Sequence, residues 1–189
     1  MSDPTPVVNS AKEFLEKILP EGFASQDHGA GAEDASLHSV VTGEGGGEWN
    51  VRVAGGKMTV AQGPASEPAL VTFKLSAKDL LDAVNSRNGA VPGLVVPVQQ
   101  EGKGGGSAAA RALKGTMVLH LTRPDGDPLE MEMCFNGAAT PKTEMTVALA
   151  DRIAMDEGRM NGQEAFMTGK IKVQGDMGFL MQVAMATGR

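Results

Sequence analysis

The chain has 189 residues, 41% of them hydrophobic and 21% charged, and a formal net charge of -6. That length suits one compact domain or two small ones, and the composition is globular rather than disordered. The acidic balance argues against a nucleic-acid backbone binder, one Trp and no Tyr argue against base-stacking platforms, and one Cys leaves no internal disulfide.

Taken in chain order, the first predicted element is a helix with Thr5 as N-cap and Pro6 at its first position. Val7, Val8, Ala11, Phe14, Leu15, Ile18 and Leu19 make its apolar stripe, and Pro20-Glu21-Gly22 stops it. Strands are expected at Leu37 to Thr42, around Trp49, Val51 and Val53, and at Met58 to Ala61. The glycines of Gly43 to Gly47 and Gly55-Gly56 make the turns between them. Val71, Phe73 and Leu75 alternate in a fourth strand. Ser76-Ala77-Lys78-Asp79 reads as a capping box that opens a helix with Leu80, Leu81 and Val84.

Residues 85–114 break the pattern. Pro92-Gly93 and Pro97 flank a short apolar run, Glu101 to Ser107 reads as a flexible connector, and Ala108 to Leu113 as a brief helix. Strands resume at Met117, Leu119 and Leu121. After the turn at Pro124-Asp125-Gly126, Leu129, Met131, Met133 and Phe135 share one face. Asn136-Gly137 turns the chain, and Met145, Val147 and Leu149 form the next strand. A short helix with Ile153 and Met155 follows, then one capped by Asn161. Thr168 to Gln174 is the last strand, and Asp176 caps a final helix. Its expected stripe is Met177, Leu180, Met181, Ala184 and Met185, widened by Phe179 and Val183. Val71 to Leu75 with its following helix is echoed by Met145 to Leu149 with its own, which suggests a duplicated half-sheet.

The segment Ala165-Phe166-Met167-Thr168-Gly169-Lys170-Ile171-Lys172-Val173-Gln174-Gly175-Asp176-Met177-Gly178-Phe179-Leu180-Met181 resembles the C-terminal signature of the sterol carrier protein two family. Thr143 to Leu149 is similar to that family's preceding strand, and Gly47 to Lys57 to its Trp-containing strand and hairpin. The resemblance covers about residues 1–86 and 143–189. It implies an α+β fold, a mixed and mainly antiparallel sheet covered by helices on one face, with an apolar tunnel for fatty acids, fatty acyl-CoA or sterols between the layers. Residues 87–142 depart from the family, as an inserted hairpin layer or as a partial second copy, within a single sterol-carrier-like domain over 1–189.

Ten of the 12 Met lie between 117 and 185. Met131, Met133, Met145, Met155, Met167, Met177, Met181 and Met185 fall largely on faces expected to point inward. Met fixes a unique packed core poorly, because its thioether chain is flexible and polarizable; the same property suits a cavity that accepts several apolar shapes. The expected tunnel wall is Phe166, Met167, Ile171, Met177, Leu180, Met181 and Ala184, with Phe135, Met145, Val147 and Ile153 as second choices. Lys170 and Lys172 are candidates for a head group at the tunnel mouth, or for the solvated face of a strand.

The remaining motifs point away from catalysis. His28, His38, His120 and Cys134 have no metal-ligand spacing, Cys134 has no base near it in sequence, and the pairs Glu130/Glu132 and Asp156/Glu157 follow from strand alternation and a helix end. Gly43 to Glu48 fails the dinucleotide fingerprint. The expectation is a non-enzymatic carrier of a long-chain lipid or acyl ligand, with no metal, no cofactor and no nucleic acid. The N-terminus has no basic region followed by an apolar run, and no stretch is long enough to span a bilayer. A cytoplasmic protein with transient membrane contact is therefore expected. The alternative is an interaction module, a homodimer for instance, with the same fold and a filled cavity.

Overall fold

In the computed structural model, described over residues 7–25, 34–65, 67–86, 111–124, 126–156 and 158–187, the first helix starts later than expected. The cap predicted at Thr5 and Pro6 lies outside the described residues. Val7 to Ser10 is not helical, because Val8 is tied to a distant side chain: its N–H donates to Asn85 Oδ1 at 2.9 Å and its carbonyl accepts from Asn85 Nδ2 at 3.0 Å. Ser10 is the cap, its Oγ accepting from Glu13 N–H at 3.1 Å, while the Glu13 carboxylate accepts from Asn9 N–H at 3.0 Å. The helix, α1, then runs without a break through Ala11–Glu13, Phe14–Ile18 and Leu19–Ala24. The middle segment is π-wound, with Leu19 N–H bonded to Phe14 O, just before Pro20. Proline has no N–H and would clash with the carbonyl four residues back; the wider turn accommodates it, so Pro20 does not stop the helix.

Eight strands form one sheet in the order β3-β2-β1-β4-β6-β5-β7-β8. They are β1 (Ala35–Thr42), β2 (Gly47–Ala54), β3 (Lys57–Gln62), β4 (Val71–Ser76), β5 (Gly115–Arg123), β6 (Gly126–Phe135), β7 (Lys142–Ala148) and β8 (Ile171–Gly175). The β1/β4 and β5/β7 pairs are parallel and the other pairs antiparallel. Because side chains alternate, register sorts them into two faces. Val51, Leu37, Val71, Phe135, Met117 and Thr143 fall on one face; His38, Asn50, Thr72, Cys134, Thr116 and Lys142 fall on the other. The first face joins α1, α2 (Ala77–Ser86) and later helices in one buried core. The second is crossed by the β3–β4 and β6–β7 connections: Asn50 Nδ2 donates to the Gly63 and Pro64 carbonyls, and Thr116 Oγ1 donates to Ala138 O. A mixed sheet with helices on one face is what the family resemblance implies.

The two halves of the sheet share an order of elements, though not the register of the strand-helix echo. In each half an antiparallel hairpin is followed by a strand parallel to the hairpin's first member and then by a helix: β1, β2, β4 and α2, then β5, β6, β7 and α3 (Leu149–Asp156). Leu37, Ser39 and Val41 face Val71, Phe73 and Leu75 as Met117, Leu119 and Leu121 face Thr143, Met145 and Val147. The equivalences set Val71 against Thr143, two residues out of step with the echo, which set it against Met145. Leu149, expected at the strand's end, begins α3, where Asp151 in the first turn favours the helix N-terminus. Residues 87–110, including the expected connector and the first half of the brief helix at Ala108 to Leu113, lie outside the described residues. The β5–β6 hairpin is not an added layer: β5 lies directly beside β7.

Candidate functional site

The residues expected at a ligand wall lie on α4 (Gly162–Met167), β8 and α5 (Met177–Thr187), which follow one another closely in the chain. Asn161 caps α4, its Oδ1 accepting from Gln163 N–H at 2.7 Å. Thr168 to Lys170, expected to begin the strand, form a turn instead; Lys170 N–H returns to Ala165 O at 2.9 Å. Gly169 in that turn takes a positive φ of 75°. Asp176 caps α5 as expected, with Oδ1 accepting from Phe179 N–H at 2.7 Å. Thr143 Oγ1 donates to Asp176 O at 2.5 Å, which pins the start of α5 to β7.

α5 contains no charged residue, so its sequence does not say which face points inward. The structure turns it on Phe179, Val183 and Ala186, all buried. The Phe179 ring meets Phe135 edge-on at a centroid distance of 6.0 Å and lies over Gly115. The methionine stripe is on the opposite side: Met177, Met181 and Met185 are 43%, 58% and 69% exposed. The expectation that these side chains point inward is therefore corrected. On α4, Phe166 and Met167 are exposed as well, with only Ala165 buried.

The other expected wall residues sit inside. Ile171 pairs with Val147, and Val173 with Met145, on the helix-covered face, and Phe135 lies on the same face of β6. Phe135, Met145 and Val147 are buried, Ile171 and Leu180 pack half-buried against the core, and Ile153 is half-buried on α3, which packs over β5 and β7. Ala184 is half-buried. The sheet thus sets Met145, Val147 and Ile171 side by side, with Phe135 on the same face but four to six residues along β6 from their level, while Phe166, Met167, Met177 and Met181 are exposed on their helices. Of the inward-expected methionines, Met131, Met133, Met145 and Met155 belong to the core and the other four do not. Phe179 and Val183, expected only to widen the stripe, are its buried members.

The charged groups fall elsewhere. Lys170 Nζ is held by Asp151 Oδ1 at 2.8 Å, and Lys172 lies opposite Thr146 on the face away from the helices. On that face His120 Nδ1 is 2.9 Å from Glu130 Oε1, and the Lys142 ammonium, 3.0 Å from Glu144, holds the Glu144 carboxyl below its ordinary range. His38, buried on the same face, has Nε2 3.2 Å from Glu48 Oε2. Cys134 Sγ donates to Ala138 O at 3.5 Å. Among the described residues no group of three His, Cys, Asp or Glu side chains is arranged to hold a metal ion, and no helix is long and apolar enough to cross a membrane.

Residues 99–187 match the model of the SCP-2 sterol transfer family. No curated protein matches. Among solved structures, the chain is similar to the sterol carrier protein domain 2 of Helicoverpa armigera at 20% identity, with a TM-score of 0.35, over 67% of this chain and 97% of that one. It is also similar to the stereoselective inverting sec-alkylsulfatase Pisa1 from Pseudomonas sp., at 11% identity and a TM-score of 0.21, over 79% of this chain but 12% of that one.

Proposed function

We propose that the chain is a non-enzymatic carrier that binds a long-chain lipid against its C-terminal helices, a reading supported by the match of residues 99–187 to the SCP-2 sterol transfer family model. The observation that carries this reading is the surface of α4 and α5. Phe166, Met167, Met177, Met181 and Met185 are exposed on two helices of which one has no charge at all. A helix apolar on every side is normally enclosed, and a large exposed apolar surface marks a place where something binds. The thioethers suit a fatty acid, a fatty acyl-CoA or a sterol, since they reshape around different apolar outlines. Each methylene withdrawn from water contributes about 0.8 kcal/mol, so a sixteen-carbon tail gains on the order of 12 kcal/mol before ordering and association costs. Affinity of that origin requires no catalytic group. Action in the cytoplasm, with brief contact at membranes where lipid is exchanged, goes with this reading.

The test is native mass spectrometry of the purified chain together with displacement of a fluorescent fatty acid. A co-purifying lipid and saturable displacement are expected. Ala184→Trp, beside the apolar stripe, should weaken uptake while costing about 1–3 kcal/mol of stability from overpacking. Absence of both lipid and displacement would sink the proposal, and unaltered uptake by folded Ala184→Trp would remove α5 from the site.

A further inference from the structure

The two units of the sheet agree in their strand pairing and differ in what their helices leave exposed. In the N-terminal half α1 and α2 bury Phe14, Leu15, Leu80 and Val84 against the sheet, and Trp49 Nε1 donates to Glu16 Oε1 of α1 at 2.9 Å. Among the described residues, every exposed large apolar side chain except Val7 lies on α4 or α5 of the C-terminal half. The family match, at residues 99–187, is confined to that half too. Burial and sequence pattern are independent observations, and they select the same unit.

The N-terminal half has a different part to play. In it, β3 is the third strand of a meander: Met58, Val60 and Gln62 pair with Val53, Val51 and Trp49 of β2. In the C-terminal half the equivalent neighbours, Phe135, Met133 and Met131 of β6, pair with Val71, Phe73 and Leu75 of β4. β4 runs in the same direction and stands in the same place as the missing third strand. Among the described residues the C-terminal unit has no such strand of its own and borrows one from its neighbour.

Building on the lipid-carrier reading, we propose that each chain binds a single lipid, held by the C-terminal unit. The N-terminal unit is a filled copy that completes the sheet through β4 and takes no ligand.

The sole Trp makes this testable on the unaltered full chain, since Trp49 is buried in the N-terminal unit. The chain is titrated with a sixteen-carbon fatty acid carrying a doxyl group, a contact quencher, and the complexes are counted by native mass spectrometry. One equivalent bound, with Trp49 emission left unquenched at saturation, is expected. Two equivalents, or one equivalent that quenches Trp49, overturn the division between units while leaving the carrier reading intact. No uptake at all overturns both.

Discussion

The orientation of α5 can be tested by comparing two truncations. Phe179 is 1% exposed and its ring packs edge-on against Phe135; Met181, half a turn away, is 58% exposed. Removing a buried Phe side chain costs about 3–5 kcal/mol, transfer and cavity together, and that range includes most of the ~0.5–1.5 kcal/mol of an aromatic pair. Met181→Ala removes only the sheltered part of a side chain, so it should cost under about 1 kcal/mol. For a chain of this length the difference, about 2–5 kcal/mol, amounts to roughly 4–20 °C in Tm. Urea unfolding followed by far-ultraviolet circular dichroism reads both variants, and an unchanged slope with denaturant would show that stability alone has moved. A helix turned the other way, with methionines inward, gives the reverse order. Equal losses for Phe179→Ala and Met181→Ala would likewise refute a helix anchored on one face.

Gly115 supports the same contact from the sheet side. Its φ is 145°, and a Cβ there would sit 2.6 Å from Pro141 O and 2.8 Å from the Phe179 ring. Gly115→Ala should cost about 3 kcal/mol from strain and overlap, and less than that in a Phe179→Ala background, where half of the clash is gone; full additivity in a thermal-melt cycle would contradict this contact. Asp82 predicts a pH dependence. The Arg123 guanidinium, 2.7 Å away, holds its carboxyl below the ordinary value, partial burial opposes this, and Lys78 at 3.0 Å adds to it. A depressed carboxylate contributes stability above its unfolded pKa and loses it as pH falls through the folded one. The stability gap between the natural chain and Asp82→Asn should therefore be open above about pH 4 and close below it; a gap constant down to strongly acid pH would contradict the pairing.

Much of the sheet was legible because strand alternation and turn chemistry are local. Leu129, Met131, Met133 and Phe135 share a face as their spacing requires, Asn136 and Gly137 take the positive φ values that an Asn-Gly turn requires, and Ser76 Oγ accepts from Asp79 N–H at 3.0 Å to open α2. The first helix was misjudged at both ends by signals that depend on remote partners. Asn85, on another helix, holds Val8 outside α1, and the π-turn that admits Pro20 has no sequence signature. The phase of α5 was illegible for a different reason. With every position apolar or neutral, periodicity has no contrast to read, and the choice was made by where Phe179 meets Gly115 and Phe135.

That choice bears on the candidate site. Had α5 packed through its methionines, Phe179 and Val183 would have been turned outward, and the exposed side of the helix would be rigid instead of adaptable. Packing through Phe179, Val183 and Ala186 satisfies the sheet with rigid or small residues and leaves the adaptable side chains outside. The division is physically economical. An aromatic ring held edge-on by a second ring fixes one geometry, while thioethers hold several at little cost. Anchoring and adaptability therefore fall on opposite sides of one helix. The methionine enrichment of the second half reflects both settings: Met131, Met133 and Met145 fill space beneath the helices, and Met177, Met181 and Met185 present the same soft chemistry outward.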